Sequence, residues 1–232
     1  MDITEAVTGR RSVRAFTDEP VDLAGIERVL EQAQRAASGG NLQPWHVAVL
    51  TGDALQALRS KVGERLSSGE RPPSPEYPVY PDTLWEPYRS RRFQNGEQLY
   101  ATLGIAREDK AGRMTSFVRN WDFFGAPVGL LLFVDRGMNH PQWADLGIWL
   151  QTVMLLLRAE GLESCAQEAW SAQHDLVAQV VDVPDQLMLF CGLAIGHEDT
   201  SAPVNALRTT RAPLDEVVTW LDEPGPLTSR TT

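Results

Sequence analysis

Lysine is scarce in this chain. Lys61 and Lys110 are the only two, and arginine makes up the rest of the 21 basic residues, against 31 acidic ones and a formal net charge of −10. Any anion site must therefore be built mainly from guanidinium groups, which donate bidentate hydrogen bonds. Because nucleic-acid binding needs a basic face for the phosphates, the negative balance predicts no nucleic-acid partner.

Residues that form disulfides or ligate metals are also few. The two cysteines, Cys165 and Cys191, lie in apolar stretches, which predicts buried free thiols and no disulfide framework. The four histidines lie far apart, and none has a Cys, Asp or Glu at metal-ligand spacing, so we expect no metal. The glycine-rich phosphate loops and the Gly-x-Ser-x-Gly elbow are missing too. If the chain is an enzyme, an organic cofactor carries the difficult chemistry.

Long hydrophobic runs are missing as well. The most apolar stretch, Leu146 to Leu157, contains Gln151 and is too short to span a bilayer. The first five residues have neither the basic nor the apolar region of a signal peptide. We therefore expect a cytoplasmic protein without a membrane partner.

The composition is that of a globular protein, with 43% apolar and 22% charged residues among 232, and we expect one domain. Asp2 and Glu5 have the spacing of a capping box and predict a first helix that ends at Gly9. Asp22 predicts the start of a second helix, which ends before Ser38. A strand over 45–51 and a helix over about 53–66 follow.

The middle of the chain differs in character. Prolines forbid regular helix over 70–88, and aromatic-rich helical segments continue to about Asp122, so we interpret residues 70–122 as an insertion. Apolar runs predict buried strands over 126–135 and 187–196, with a long and a short helix between them and a tail over 197–232. Strands separated by helices indicate a layered α/β or α+β fold.

The long helix, from about Pro141 to Glu160, has two apolar faces. Its main stripe is Trp143, Leu146, Gly147, Leu150, Val153, Met154 and Leu157, and its second face is Ile148, Trp149, Leu155 and Leu156. A helix that is apolar nearly all round must be buried on both sides. Periodicity leaves open whether the second side packs within the protomer or against a partner subunit.

Three polar patches could carry chemistry. Arg10-Arg11-Ser12-Val13-Arg14 has three guanidinium groups and a hydroxyl, which suit a phosphate. Ser38-Gly39-Gly40-Asn41-Leu42-Gln43-Pro44-Trp45 combines glycines with amides that can read a polar heterocycle. The tail segment 205–214 carries Arg208 and Arg211. Taken singly, each patch also fits a solvated loop or a helix-ending turn.

In chain order, the three patches resemble the FMN-dependent nitroreductase family. The family has a helix followed by an Arg-x-Ser-x-Arg-type segment, a Ser-x-x-Asn-x-Gln-Pro-Trp segment, a glycine-ended strand such as Gly192-Leu193-Ala194-Ile195-Gly196, and an arginine-bearing tail. The insertion resembles the subgroup that reduces nitroaromatic compounds. The resemblance implies an α+β (mixed α/β) layered fold, with a central mixed sheet flanked by helices and a long buried helix at a homodimer interface.

The resemblance also implies roles for individual residues. Arg10, Arg11, Ser12, Arg208 and Arg211 would hold the FMN phosphate, and Arg14 would lie near the pyrimidine edge of the ring, where a cation stabilises the reduced anion. Ser38, Gly39, Asn41 and Gln43 would come from the other subunit. The hydrogen-bond donor to flavin N5 would lie near Gln167 and Glu168, although Ala166 and Ala169 stand where the family often has Pro and Gly. Asn120 is a further candidate at the ring edge.

The implied activity is ping-pong hydride transfer through flavin N5, from NADPH or NADH to a small, electron-poor aromatic acceptor, with no catalytic side chain. Candidate pocket walls are Trp85, Tyr88, Phe93, Tyr100, Trp121, Phe123 and Phe124, although core packing is the favoured explanation for each of them taken singly. Two alternatives stay open: a quinone or enone reductase or flavin-dependent dehydrogenase, and an FMN-binding sensor or carrier without turnover.

Overall fold

A computed structural model of the protein describes residues 1–227; residues 228–232 of the predicted tail lie outside them. The helices are α1 (Ile3–Gly9), α2 (Leu23–Ala33), α3 (Gly52–Ser68), α4 (Tyr88–Thr102), α5 (Lys110–Val118), α6 (His140–Ala159), α7 (His174–Val177) and α8 (Leu214–Val217). The strands are β1 (His46–Leu50), β2 (Val128–Asp135), β3 (Glu163–Gln167) and β4 (Leu187–Gly196). Short 3₁₀ segments cover Gly39–Asn41, Arg119–Gly125, Glu168–Gln173 and Pro203–Ala206.

The strands form one sheet in the order β1-β2-β4-β3 with helices on both faces. Alternation along β2 divides the core: Leu130 and Leu132 pack with α2 and α6, and Leu131 and Phe133 pack with α3 and the 3₁₀ segments. The layered α+β architecture is therefore as the sequence predicts. The expected mixed sheet differs, because every strand pair in the described residues is antiparallel and the one parallel contact is an isolated bridge between Ser12 and Ser164.

Most predicted elements are confirmed. The capping box of Asp2 and Glu5 is present and α1 ends at Gly9, while Asp22 accepts the backbone N–H groups of Ala24 and Gly25. Strand β4 has the predicted bounds, and residues 70–87 contain no regular helix or strand. The sequence interpretation missed β3, because its five residues include Glu163, Ser164 and Gln167 and lack an apolar run.

Helix α6 buries Leu146, Leu150, Val153, Met154 and Leu157 of its main stripe, and the position of Trp149 on the second face needs correction. Trp149 is fully buried and stacks near Trp45, with ring centroids 6.0 Å apart. Ile148 is 45% exposed, and Ala144 and Gly147 beside it are also exposed. The uncovered side of α6 is therefore centred on Ile148 and does not include Trp149.

The insertion lies against the scaffold through its first residues. Tyr77 donates a hydrogen bond from its hydroxyl to the carbonyl of Phe190, and its ring meets Trp143 edge to face at 4.9 Å. Arg136 pairs with Glu76. In α4 and α5 no residue is buried, so these helices form an outer layer. Over residues 1–227, none of the helices combines the length and apolar character that crossing a membrane requires.

Candidate active site

Residues from both ends of the chain meet in a cleft of about 970 Å³. The N-terminal side contributes the end of α1 and the segment after it, and the C-terminal side contributes residues after the 3₁₀ turn Pro203–Ala206. The lining side chains include Arg10, Arg11, Ser12, Arg14, Arg208 and Arg211. The structure thus brings together the five residues that were predicted to bind the phosphate and Arg14, which was predicted at the ring edge.

The segment after α1 is extended because it lies along the sheet edge. The N–H of Val13 donates to the carbonyl of Ser164 at 3.1 Å, and Thr17 donates to His197 at 2.9 Å. Asn205 is buried and connects this segment with the tail: its Oδ1 accepts the N–H of Arg14 at 2.8 Å and its Nδ2 donates to the carbonyl of Ala15 at 2.8 Å. These contacts set the distance between the two arginine segments.

The cleft is strongly electropositive. Of the five arginines in the two segments, Arg10, Arg14, Arg208 and Arg211 form no ion pair with any described residue. Burial lowers the pKa of Arg10, and the nearby charge of Arg211 lowers it further. The nearby charge of Glu163 offsets these effects only in part, so a bound phosphate would relieve the repulsion between Arg10 and Arg211.

Arg11 differs from the other four arginines because its guanidinium pairs with Glu198. Arg158 also lines the cleft, where it donates to the carbonyl of Gly9 at 2.9 Å and pairs with Glu163 at 2.6 Å. Burial raises the pKa of Glu163. These pairs hold the walls of the cleft, and Arg11 has less capacity for an added anion than the four unpaired arginines.

Arg14 also lines a second, smaller pocket of about 60 Å³, so the two spaces adjoin. Asn120, Tyr100 and Phe124 line this pocket. Asn120 donates from Nδ2 to the carbonyl of Phe117 at 2.7 Å. The predicted ring-edge residue and two of the predicted pocket aromatics therefore lie beside Arg14.

Gln167 is buried at the end of β3, and its Nε2 donates to the carbonyl of Asn120 at 2.6 Å. Its Oε1 is buried without a hydrogen-bond partner in the described residues. Glu168, the next residue, is exposed. Burial raises the pKa of Tyr80, and the charge of Glu168 and a hydrogen bond with it raise that pKa further. Gln167 thus contacts the turn that carries Asn120, and Glu168 lies close to Tyr80.

The segment Ser38, Gly39, Asn41 and Gln43 lies elsewhere in the protomer. Its turn has left-handed backbone at Gly40, Asn41 and Gln43, and the N–H of Gly39 donates to Asp145 at 3.2 Å. Asp145 precedes the cleft residues Gln151 and Arg158 on α6 by 6 and 13 positions, which corresponds to about 9 and 20 Å along the axis. None of the four segment residues lines the arginine cleft of the same protomer.

The remaining predicted pocket aromatics fall into two groups. Phe123 is fully buried and stacks on Trp170 with centroids 4.4 Å apart, and Trp121 is buried with Nε1 donating to Ala169. Both serve the core, which was the competing explanation. In contrast, Trp85, Tyr88 and Phe93 are about half exposed on the insertion, where Trp85 and Tyr88 meet edge to face.

Sequence reasoning missed three residues that shape the cleft: Asn205, Glu198 and Arg158. Asn205 begins the tail segment that was singled out for its arginines, and Glu198 follows the glycine-ended strand closely. Their roles depend on contacts over more than 140 positions, which no local pattern reveals. The assembled site can bind an anion at one end and a flat polar ring at the other.

Comparison with known proteins agrees with this geometry. The model of the nitroreductase family matches residues 7–197. A 4-nitrobenzoate reductase from Nocardioides sp. (strain LMS-CY) is 39% identical over 93% of this chain and 88% of its own length.

Two solved structures are similar along nearly their whole length. The FMN- and NADPH-dependent nitroreductase NfnB from Sphigopyxis sp. strain HMH is 52% identical with a TM-score of 0.91, covering 95% of this chain and 99% of that one. NfnB from Mycobacterium smegmatis in complex with NADPH is 32% identical with a TM-score of 0.88, covering 94% of this chain and 97% of that one. The shared fold, the match over most of the chain and the level of identity together show that this chain belongs to the nitroreductase family.

Proposed function

We propose that this protein is an FMN-dependent NAD(P)H oxidoreductase that reduces nitroaromatic or similar electron-poor compounds. The observation that carries the proposal is the cleft with four unpaired guanidinium groups, built from residues 10–14 and 208–211. The relatives named as a 4-nitrobenzoate reductase and as FMN- and NADPH-dependent nitroreductases support the same chemistry.

The residues present fit FMN. Arg10, Ser12, Arg208 and Arg211 would hold the phosphate, because charge-assisted donors converge there without carboxylates. Arg14 would face the pyrimidine edge and favour negative charge on the ring, with Asn120 beside it. The volume of the cleft lies in the range of pockets that hold small-molecule ligands and cofactors.

When bound, FMN supplies hydride transfer between the nicotinamide and the acceptor. The protein would contribute placement and charge. The hydrogen bond from Gln167 to Asn120 would keep the backbone at 167–168 beside the ring, in reach of N5. Tyr100 and Phe124 would form the inner pocket wall, and Trp85, Tyr88 and Phe93 the outer one.

A homodimer would complete the site. The exposed apolar side of α6 around Ile148 would pack against the same side of a second copy. The Ser38–Gln43 segment contacts α6 at Asp145, in its first half, and the arginine cleft is lined by Gln151 and Arg158 farther along the helix, so an antiparallel pair of α6 helices would bring one protomer's segment toward its partner's cleft. This arrangement supports a role for Ser38, Gly39, Asn41 and Gln43 in the partner's flavin site. We also propose a cytoplasmic location, consistent with two free, buried cysteines.

Two measurements test the function. Denaturing the purified protein should release about one FMN per chain, because each protomer has one such cleft; release of FAD, or no flavin after reconstitution, would contradict the proposal. Adding NADPH or NADH without oxygen should bleach the flavin, and 4-nitrobenzoate or nitrobenzene should restore its colour. A bound flavin that neither nucleotide bleaches would indicate a carrier, and recovery with quinones or enones alone would indicate a different acceptor.

A further inference from the structure

We infer that Asn205 is a positioning residue that sets the spacing of the two arginine segments of the phosphate cleft. Its side chain is 4% exposed and lies where the N-terminal segment and the tail cross. The inference rests on the proposed function, because it assigns the cleft to the phosphate of FMN.

The amide of Asn205 is fully used. Oδ1 accepts the N–H of Arg14 at 2.8 Å, and Nδ2 donates to the carbonyls of Ala15 at 2.8 Å and Asp199 at 2.9 Å. Its own backbone carbonyl accepts from Nη1 of Arg208 at 2.8 Å. One residue therefore contacts the backbone of one arginine segment and the guanidinium of the other.

The chemistry of the side chain explains why an asparagine stands here. Two donors and an acceptor at this short length satisfy two carbonyls and one N–H at once. Aspartate would keep the acceptor but set a charge against two carbonyl oxygens. Alanine would remove three side-chain hydrogen bonds and leave the N–H of Arg14 without a partner among the described residues, whereas the carbonyls of Ala15 and Asp199 would still accept the backbone N–H groups of Asp199 and Ala202. The backbone at Arg14 would then lose its fixed distance from Arg208.

The location of the contacts makes the effect specific. Arg14, at the ring end, loses the partner of its N–H, but its guanidinium keeps its hydrogen bond to the carbonyl of Ser12 at 3.3 Å, and the hydrogen bond from Asn120 to Phe117 does not involve Asn205. Loss of Asn205 should therefore loosen the phosphate end of the site more than the ring end. FMN and riboflavin distinguish the two ends, because riboflavin has the same ring and lacks the phosphate.

The experiment compares FMN and riboflavin affinities of the flavin-free protein by fluorescence titration. Asn205→Ala should weaken FMN binding about fivefold or more, as expected for a buried hydrogen bond, and change riboflavin binding by less than about twofold. Gln173→Ala is the matched control, because Gln173 is a buried amide that bonds Arg65 and does not line the cleft. It should lower the free energy of unfolding and leave the ratio of the two affinities unchanged.

A double variant separates a role at the phosphate from a general one. The FMN preference is the ratio of FMN affinity to riboflavin affinity. If Asn205 acts through the arginines, the double variant Asn205→Ala and Arg211→Ala should lower this ratio by a factor far smaller than the product of the factors for the two single variants. Equal weakening of FMN and riboflavin, or fully multiplicative effects, would overturn the inference.

The remaining outcomes are also decisive. If the parent and Arg211→Ala both bind FMN and riboflavin equally well, the cleft does not bind phosphate and the proposed function itself fails. If Asn205→Ala does not fold, Asn205→Ser is used in its place, because its hydroxyl keeps a polar group between the N-terminal segment and the tail. Failure of both variants to fold would make Asn205 a requirement of the fold and overturn its assignment to the cleft.

Discussion

At the scale of single residues, the cleft holds positive charge that the protein leaves uncompensated. The chain has ten more acidic than basic residues, yet Arg10, Arg14, Arg208 and Arg211 pair with none of the described carboxylates. Gathering like charges in a partly buried cleft disfavours the folded state. The arrangement is therefore explained best by a ligand that brings the missing negative charge.

Arg211 provides the direct test of that explanation. Its Nη1 contacts only Thr209 and the carbonyl of Thr210, so no folding ion pair is lost in Arg211→Ala. A charge-assisted phosphate contact contributes roughly 1.5–3 kcal/mol, so FMN affinity should fall about tenfold or more. Fluorescence titration measures the change.

The control is Arg35→Ala, at an exposed arginine outside the cleft, which should bind FMN like the parent. Unchanged FMN affinity in Arg211→Ala would show that Arg211 is not part of the site.

Asp175 gives a prediction about pH. The hydrogen bond from Arg65 holds the pKa of Asp175 below its usual value. A depressed pKa stabilises the fold above the unfolded value, about 3.9, and this contribution is lost as pH falls through the lower folded value. Asp175→Asn should therefore be less stable than the parent at about pH 6, and the difference in their free energies of unfolding should shrink toward about pH 3. Urea unfolding across this pH range measures that difference.

The control for this prediction is Asp82→Asn, because Asp82 is exposed and forms no ion pair among the described residues. Its stability should follow that of the parent at every pH. If the difference in free energy of unfolding between Asp175→Asn and the parent stays constant down to low pH, the carboxylate charge does not stabilise the contact between Arg65 and Asp175.

At the scale of elements, close packing of aromatic rings on glycines joins the sheet to its 3₁₀ segments. A Cβ on Gly129 would lie 2.8 Å from the ring of Phe123, and one on Gly192 would lie 2.3 Å from the ring of Trp170. These two rings stack on each other. Glycine on β2 and β4 thus allows the turn that carries Asn120 and the segment that follows Gln167 to approach the sheet.

Gly192→Ala should consequently be destabilising. The added methyl group must displace the fully buried Trp170, and overpacking of this kind costs about 1–3 kcal/mol. Urea unfolding measures the change. Gly63→Ala on α3 is the matched control, because a Cβ there meets nothing within 4 Å, and it should raise stability by about 0.4–1 kcal/mol. Equal stability of Gly192→Ala and the parent would show that the ring adjusts freely.

The elements that sequence reasoning predicted are those specified by neighbours in the chain. The capping box of Asp2 and Glu5, the cap at Asp22 and the apolar run of β4 depend on residues a few positions apart. Strand β3 depends instead on pairing with β4, and its own residues give no strand signal. The arginine patches were found because their residue types suit phosphate, but the contact of Arg11 with Glu198 is a long-range pairing that spacing does not reveal.

At the scale of the whole molecule, the exposed side of α6 around Ile148 is the surface that the proposed homodimer would cover. Periodicity predicted two apolar faces, placed Trp149 with Ile148 on the second one and left open what covers that face, because both faces of so apolar a helix have similar composition. Leu150 and Met154 are also buried in the protomer, so charges at any of these three positions would test folding and not assembly. Ile148 is the residue that tests the dimer.

Ile148→Glu should split the dimer and lower FMN occupancy together, because it puts a charge in the proposed interface beside the shared site. Sedimentation reports the mass and flavin absorbance reports the cofactor. Leu66→Glu, at a partly exposed apolar residue on α3, is the control and should leave both unchanged. A folded, monomeric Ile148→Glu protein with full flavin would refute the shared site, and a monomeric parent would refute the dimer.

The cleft joins residues 10–14 to residues 208–211, so its two walls are nearly a full chain length apart in order of synthesis. A ribosome making this protein would release the first wall long before the second exists. The proposed flavin could then be captured only after residues 208–211 had been translated. Yellow colour would accordingly report that synthesis had passed Arg211, and fragments ending before Arg208 would be colourless even where their sheet had formed.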